Sequence, residues 1–104
     1  IYFHETVSID GWSGYVVAND SLTLGIRVRY EKKNLSELIN WVDLETGHYV
    51  VEVGPSNCKC FGRNSEKEAG TLQFLAPGEI REYKVSFKVL EGSDKLREAE
   101  EEMK

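Results

Sequence analysis

The sequence has 104 residues, of which 40% are hydrophobic and 30% are charged, and it carries a net charge of −5 with a pI near 5.0. These values are typical of one ordinary globular domain, large enough to bury a core without disulfides or metals. The acidic balance argues against nucleic acid or an anionic membrane as the main partner, because both attract basic surfaces. No apolar run is long enough to span a bilayer.

Two cysteines, Cys58 and Cys60, are separated by a single residue. They are too few for a disulfide scaffold, and their spacing would close a strained ring. The histidines, His4 and His48, show no paired metal-ligand spacing. We therefore expect free thiols, no metal and no cofactor, in a cytoplasmic protein. Because the chain opens on Ile1 without an initiator Met, we also expect it to be a processed or excised piece of a longer protein.

Alternating apolar residues predict strands in the first part of the chain. Residues 1–7 and 12–18 form the first two predicted strands, separated by a turn at Asp10-Gly11. Residues 22–30 alternate most clearly, and the arginines on one face of this strand are expected to be solvated or ion-paired. The opposite face is expected to lie in the core and contains Leu22, Leu24, Ile26, Val28 and Tyr30.

The middle of the chain is less regular. Residues 35–42 fit either a helical face or a strand, and we expect a turn followed by a strand from Ile39. Residues 48–53 predict a further strand rich in valine. Gly54-Pro55 is expected to end its regular pairing, because proline cannot donate a ladder hydrogen bond.

The last third is predicted to be strand-rich and to end in a helix. We expect a polar loop over residues 64–70, a strand over 71–76 and a long strand over 79–90 with a kink near Arg81. Residues 93–104 predict a short helix with Ser93 as its N-cap. Together these elements indicate an all-β antiparallel sandwich over residues 1–92, with a short C-terminal helix.

The stretch from His48 to Arg63 has the densest chemical functionality, where a valine-rich strand runs into a polar loop. Glu52 is the one ionisable side chain within the valine run. Its apolar neighbours favour a carboxylate withdrawn from water, as a general base or acid near neutrality requires. The alternative, which a half-exposed antiparallel strand favours, is that Glu52 simply faces solvent.

From its first residues to Gly92, the sequence resembles the C-terminal part of aldose 1-epimerase-like proteins, the galactose mutarotase-like group. The resemblance is carried by the order and spacing of several short landmarks, namely Gly11-Trp12, residues 24–30, residues 35–41, Tyr49-Val50, residues 55–58, Gly62-Arg63, Gly70 and residues 75–79. It implies a part of a large antiparallel supersandwich and a larger sugar-binding domain. The implied chemistry interconverts sugar anomers without a cofactor: a carboxylate accepts the proton of the anomeric hydroxyl and an imidazolium protonates the ring oxygen.

The resemblance departs from the family's pattern at its catalytic carboxylate. In the family that glutamate directly precedes the proline and follows a glycine two positions earlier, whereas here Gly54 precedes Pro55 and the acid is Glu52. Two residues are one strand period, so Glu52 shares the expected face but is displaced by roughly 6 to 7 Å. Either a bulge restores its position or the base is lost. The family's catalytic histidines match neither His4 nor His48.

We therefore predict the carbohydrate-binding portion of an aldose 1-epimerase-like protein, incomplete as a mutarotase on its own. Glu52 is the candidate base, and Asn57, Arg63 and Trp41 are the candidate contacts to a sugar or sugar phosphate. One alternative is a non-catalytic carbohydrate-binding domain, with Trp12, Trp41 or Tyr49 as an apolar platform and Asn57 and Arg63 as hydrogen-bonding groups. The other is a non-catalytic interaction or assembly domain of unknown function. Because part of a sandwich leaves strand edges and an apolar face uncovered, we also expect a homo-oligomer.

Overall fold

The computed structural model describes residues 1–102, which form six strands and two helices. The strands are β1 (Tyr2–His4), β2 (Trp12–Ala18), β3 (Leu24–Glu31), β4 (Glu37–Asp43), β5 (Val50–Ser56) and β6 (Val85–Glu91). The helices are α1 (Arg63–Ala69) and α2 (Ser93–Glu102). The end of the predicted C-terminal helix, residues 103–104, lies outside the described residues.

The strands form two antiparallel sheets of three strands each, in the orders β1-β4-β5 and β2-β3-β6. This arrangement confirms the predicted all-β, sandwich-like fold with a short helix near the C-terminus. Neither helix in residues 1–102 has the length and apolar character needed to cross a membrane.

The two sheets meet around Tyr30, which is fully buried. Leu35 and Leu38 are buried beside it in the same cluster. Tyr15 and Val53 pack against this cluster from opposite sheets, and the Tyr15 hydroxyl donates a hydrogen bond to the carbonyl oxygen of Val53. Burial, and to a lesser degree the neighbouring Tyr30, raises the pKa of Tyr15 above its usual value. A side chain-to-backbone hydrogen bond thus joins the two layers at the centre of the core.

Helix α2 covers the other face of the β2-β3-β6 sheet. Leu96 and Ala99 of the helix form a buried cluster with Leu90, and Val16 packs against it. Gly25 makes this close approach possible, because a Cβ there would lie 2.6 Å from the Leu96 Cδ2 atom. Gly25 was expected on a solvated face, and it is buried because the helix lies on it.

The predicted core face of β3 is only half covered. Val28 and Tyr30 are buried, whereas Leu24 and Ile26 of the same face are about half exposed. Their neighbours on the adjoining strands are exposed as well. We call this apolar surface the open face, and it comprises Val17, Leu24, Ile26, Phe87 and Val89. The expectation that the whole alternating face lies in the core is therefore wrong for its Leu22–Ile26 end.

The predicted polar loop over residues 64–70 is also wrong, because helix α1 occupies it. The helix ends at Gly70, whose positive φ of 75° is the left-handed C-terminal conformation that glycine favours. Glu66 is buried in it, and its carboxylate accepts hydrogen bonds from the Lys59 amide and the Thr71 hydroxyl. Since these partners lie outside the helix, tertiary contacts hold a segment with no apolar periodicity.

Residues 71–84 contain no strand, so the predicted strand over 71–76 is wrong and the predicted long strand is present only as β6. Phe74 and Leu75 have the right residue types but find no neighbouring strand to pair with, and both are exposed. A strand needs such a partner as well as propensity. The guanidinium of Arg81 holds the segment by donating to the Phe74 carbonyl and the Glu79 carboxylate.

Candidate functional site

The outer face of the β1-β4-β5 sheet carries two of the predicted site residues. Leu38 and Val53 point to the core between the sheets, so the residues that alternate with them lie on the opposite, outer face. Trp41 and Glu52 are among these, and they are direct cross-strand partners in the β4-β5 ladder. An indole ring and a carboxylate are therefore mounted side by side on adjoining strands.

The Glu52 carboxylate lies close to Gly54, the residue that directly precedes Pro55. Its Oε1 atom lies 3.8 Å from the place that a Cβ atom on Gly54 would occupy. The side chain therefore leans along the strand toward the residue that precedes Pro55.

The backbone itself contains no bulge at this point. Residues of β4 and β5 pair one to one from Glu37 with Ser56 to Asp43 with Val50, and Pro55 stands opposite Leu38. The prediction that Gly54-Pro55 ends the pairing is therefore wrong. Strand β5 is an edge strand, where proline can be accommodated because one side of the backbone has no partner strand.

Glu52 faces solvent, which is the second of the two interpretations that its place in the valine run allowed. It is exposed on the sheet surface, between the exposed Val51 and the partly buried Val53. Trp41 is 38% exposed beside it. The pair forms an accessible surface patch with one apolar and one anionic member.

Asn57 and Arg63 lie beyond the end of β5 and are not brought onto the Glu52 carboxylate. Glu52 and the last strand residue, Ser56, are separated by about 13 Å of extended chain. The Asn57 side-chain amide lies 3.5 Å from the Tyr83 hydroxyl, and the exposed Arg63 opens helix α1. A ligand that reached both Glu52 and Asn57 would need to extend along the strand.

Two residues of the loop after β5, which the sequence analysis did not identify, return to the outer face. The Phe61 ring lies 5.3 Å from the Phe3 ring, and the Lys59 ammonium lies 5.4 Å from the same ring. Phe3 belongs to the outer face because it pairs with Ile39. A cation thus stands on the sheet face that also carries Glu52. In the sequence Lys59 stands between two cysteines, and this pattern has no periodicity from which its place on the sheet face could be predicted.

The two histidines lie in different surroundings. His4 pairs with Leu38 and so lies on the face opposite to Glu52. His48 lies in the turn between β4 and β5, where its Nδ1 atom is 2.9 Å from Asp43 Oδ2 and 3.8 Å from Glu45 Oε2. Asp43, Glu45 and His48 are the residues whose donor atoms could hold a metal ion, since all lie within 4.8 Å of one another. The same contacts also serve as ion pairs that close an exposed turn. Cys58 and Cys60 are free, as expected.

Two cavities lie elsewhere in the molecule, and none of the four predicted site residues lines either of them. One, of about 700 Å³, runs along β2 beside Trp12 and Arg29, whose guanidinium lies 5.6 Å from the indole ring. The other, of about 680 Å³, lies between β2 and α2. Arg27 at the first cavity forms an ion pair with Glu102, which is one of the two expected states, solvated or ion-paired, of the β3 arginines.

Comparison with protein families matches residues 1–89 to the model described as "Domain of unknown function (DUF4432)". No curated protein and no solved structure matches the sequence.

Proposed function

The chain belongs to the DUF4432 family, and from that premise we propose that it is the sugar-binding part of an aldose 1-epimerase-like protein. One observation carries the proposal. The Glu52 carboxylate leans over Gly54 and so approaches the position that the resemblance assigns to the family's acid. Gly54 has no side chain, so the carboxylate has room on this side, and side chains in strands lean along the strand direction.

The neighbour of Glu52 supports a sugar as the ligand. A sugar presents both C–H groups and hydroxyls, and the exposed Trp41 ring offers an apolar surface to the former. The ionised Glu52 carboxylate is a hydrogen-bond acceptor for the latter. Lys59 on the same face and Arg63 at the start of α1 supply cationic groups for a phosphate, so sugar phosphates belong to the proposed ligand class.

By itself the chain is proposed not to accelerate mutarotation. The reaction implied by the resemblance needs an imidazolium opposite the carboxylate. His4 lies on the other face of the sheet, and His48 is engaged by Asp43 and Glu45 at the turn while Glu52 leans toward Gly54. Without a proton donor for the ring oxygen, general base action alone leaves the reaction incomplete.

Titration with a panel of aldoses and aldose phosphates tests the binding proposal. We expect a change in tryptophan fluorescence that Trp41→Phe abolishes and Trp12→Phe leaves in place. Glu52→Gln should weaken binding by about tenfold or more, because hydrogen bonds to charged groups contribute about 1.5–3 kcal/mol. Glu98→Gln, at an exposed residue of α2, which packs on the other sheet, is the matched control. A panel without any response contradicts the proposal.

Polarimetry on glucose and galactose tests the proposal that the chain alone does not accelerate mutarotation. We expect the chain to leave the rate of mutarotation at that of the buffer. If the chain accelerated the reaction and Glu52→Gln reduced that rate, the chain would be a complete enzyme and Glu52 its base.

A further inference from the structure

The open face is a continuous group of exposed apolar residues on adjoining strands. The residues of the open face are cross-strand neighbours. Val17, Ile26 and Val89 lie side by side on three adjoining strands, and Phe87 lies beside the buried Val28. Phe87 is 73% exposed and Val89 65%, whereas Val28 is 3% exposed. The open face therefore continues the core directly, and it begins where the cover of the β1-β4-β5 sheet stops.

The size of this face is compatible with an interface between two copies. At these exposed fractions its five side chains leave on the order of 500 Å² of apolar surface in water, in the upper part of the range for the largest patches of monomers. A stable interface buries about 800 Å² per partner, and its rim is ordinarily polar. The five side chains supply most of that area, and the polar residues around them supply a rim.

We propose that the open face binds a second copy of this chain, so that two copies form a two-fold symmetric dimer. The open face continues an existing sheet-to-sheet interface, and sheets stacked face to face pack about 10 Å apart with their inner side chains interdigitated. Related by a two-fold axis, the two faces present the same apolar surface to each other. None of the five side chains is charged, and Glu91, the ladder partner of Leu24 on this face, lies at the end of the strand pair, where its carboxylate can stay in water.

The charge of the chain makes the proposed contact sensitive to salt in a defined direction. Each copy carries a net charge of −5, so two copies repel each other at long range. Added salt screens this repulsion and leaves apolar association intact. We therefore expect the dimer to become tighter as the salt concentration rises, whereas a dimer held by ion pairs would become weaker.

Light scattering and sedimentation across a concentration series measure the association of the 104-residue chain. We expect a dimer that dissociates on dilution. Phe87→Thr keeps a residue that favours strands and removes the most exposed ring of the face, so it should raise the dissociation constant by about tenfold or more. Phe74→Thr is the matched control, because Phe74 is 67% exposed but lies in the strandless segment. It should leave the dissociation constant unchanged.

A second variant, Val89→Lys, places a cation on the open face and should abolish the dimer while the circular dichroism of the monomer is retained. A chain that is monomeric at every concentration overturns the proposal. So does a dimer that Phe87→Thr and Val89→Lys leave intact, since association would then run through another surface, such as the free strand edges.

Discussion

The two ends of one sheet face differ although their sequences are alike. At one end of the β2-β3-β6 sheet, Tyr30 and Val28 are buried under the second sheet. At the other end, Ile26 and Val89 belong to the same strands and the same alternation, yet they are exposed. Alternation therefore specifies which side chains are available for burial, whereas the extent of the covering layer decides which of them are buried.

The first prediction separates the two ends by substitution of one aromatic residue in each. Tyr30→Ala should reduce the free energy of unfolding by about 3–5 kcal/mol, because it leaves a large cavity in the core. Phe87→Ala should change it by no more than about 0.5 kcal/mol in dilute solution, since the ring is in water there. Urea unfolding at low protein concentration measures both. Equal losses would show that the two ends are packed alike.

The second prediction compares the two faces of the same sheet with one kind of substitution. Leu96→Ala removes a buried side chain that joins α2 to Leu90 and Gly25, and it should cost about 2–3 kcal/mol. Leu24→Ala on the open face should cost about 0.5 kcal/mol or less at a concentration where the chain is monomeric. Urea midpoints, with helical circular dichroism as a second readout, give the values. A neutral Leu96→Ala would mean that the helix does not stabilise the sheet.

The third prediction concerns pH and the hydroxyl at the covered end. Because the pKa of Tyr15 is raised on folding, its stabilising contribution is complete below the ordinary tyrosine pKa of 10.0 and is lost as the pH rises through the folded value. Tyr15→Phe should cost about 1 kcal/mol at neutral pH through the lost hydrogen bond to Val53.

Alkaline unfolding provides the readout for this prediction. Above pH 10 the wild-type chain should lose stability more steeply than Tyr15→Phe, so that the difference between them narrows. Tyr2→Phe, at an exposed tyrosine, should follow the wild type throughout. Parallel curves for wild type and Tyr15→Phe would contradict the assignment.

Much of the fold follows from residue patterns, and the exceptions share a physical cause. The clear alternation of residues 24–30 and the valines near Glu52 predicted β3 and β5, because both patterns match a two-residue period. Helix α1 escaped prediction because its one buried side chain, Glu66, is held by hydrogen bonds from the Lys59 amide and the Thr71 hydroxyl that flank the helix, and no apolar period marks it. Residues 71–76 show the converse, since their apolar residues lack a partner strand.

The candidate site was likewise only partly predictable from the sequence. The strand period places Glu52 and Trp41 on a common face only once the pairing of β4 with β5 is known. The direction of the Glu52 side chain and the return of Lys59 and Phe61 toward Phe3 depend on tertiary contacts, for which local sequence carries no signal.

The difference between the two ends of the sheet is tested most directly by the solvent accessibility of their methyl groups, measured by NMR with a soluble paramagnetic probe. We predict that the Val28 methyls are protected at every protein concentration. Those of Ile26 and Val89 should be accessible in dilute solution and become protected as the chain dimerises. Methyls of Ile26 and Val89 that remain accessible at high concentration would contradict the account.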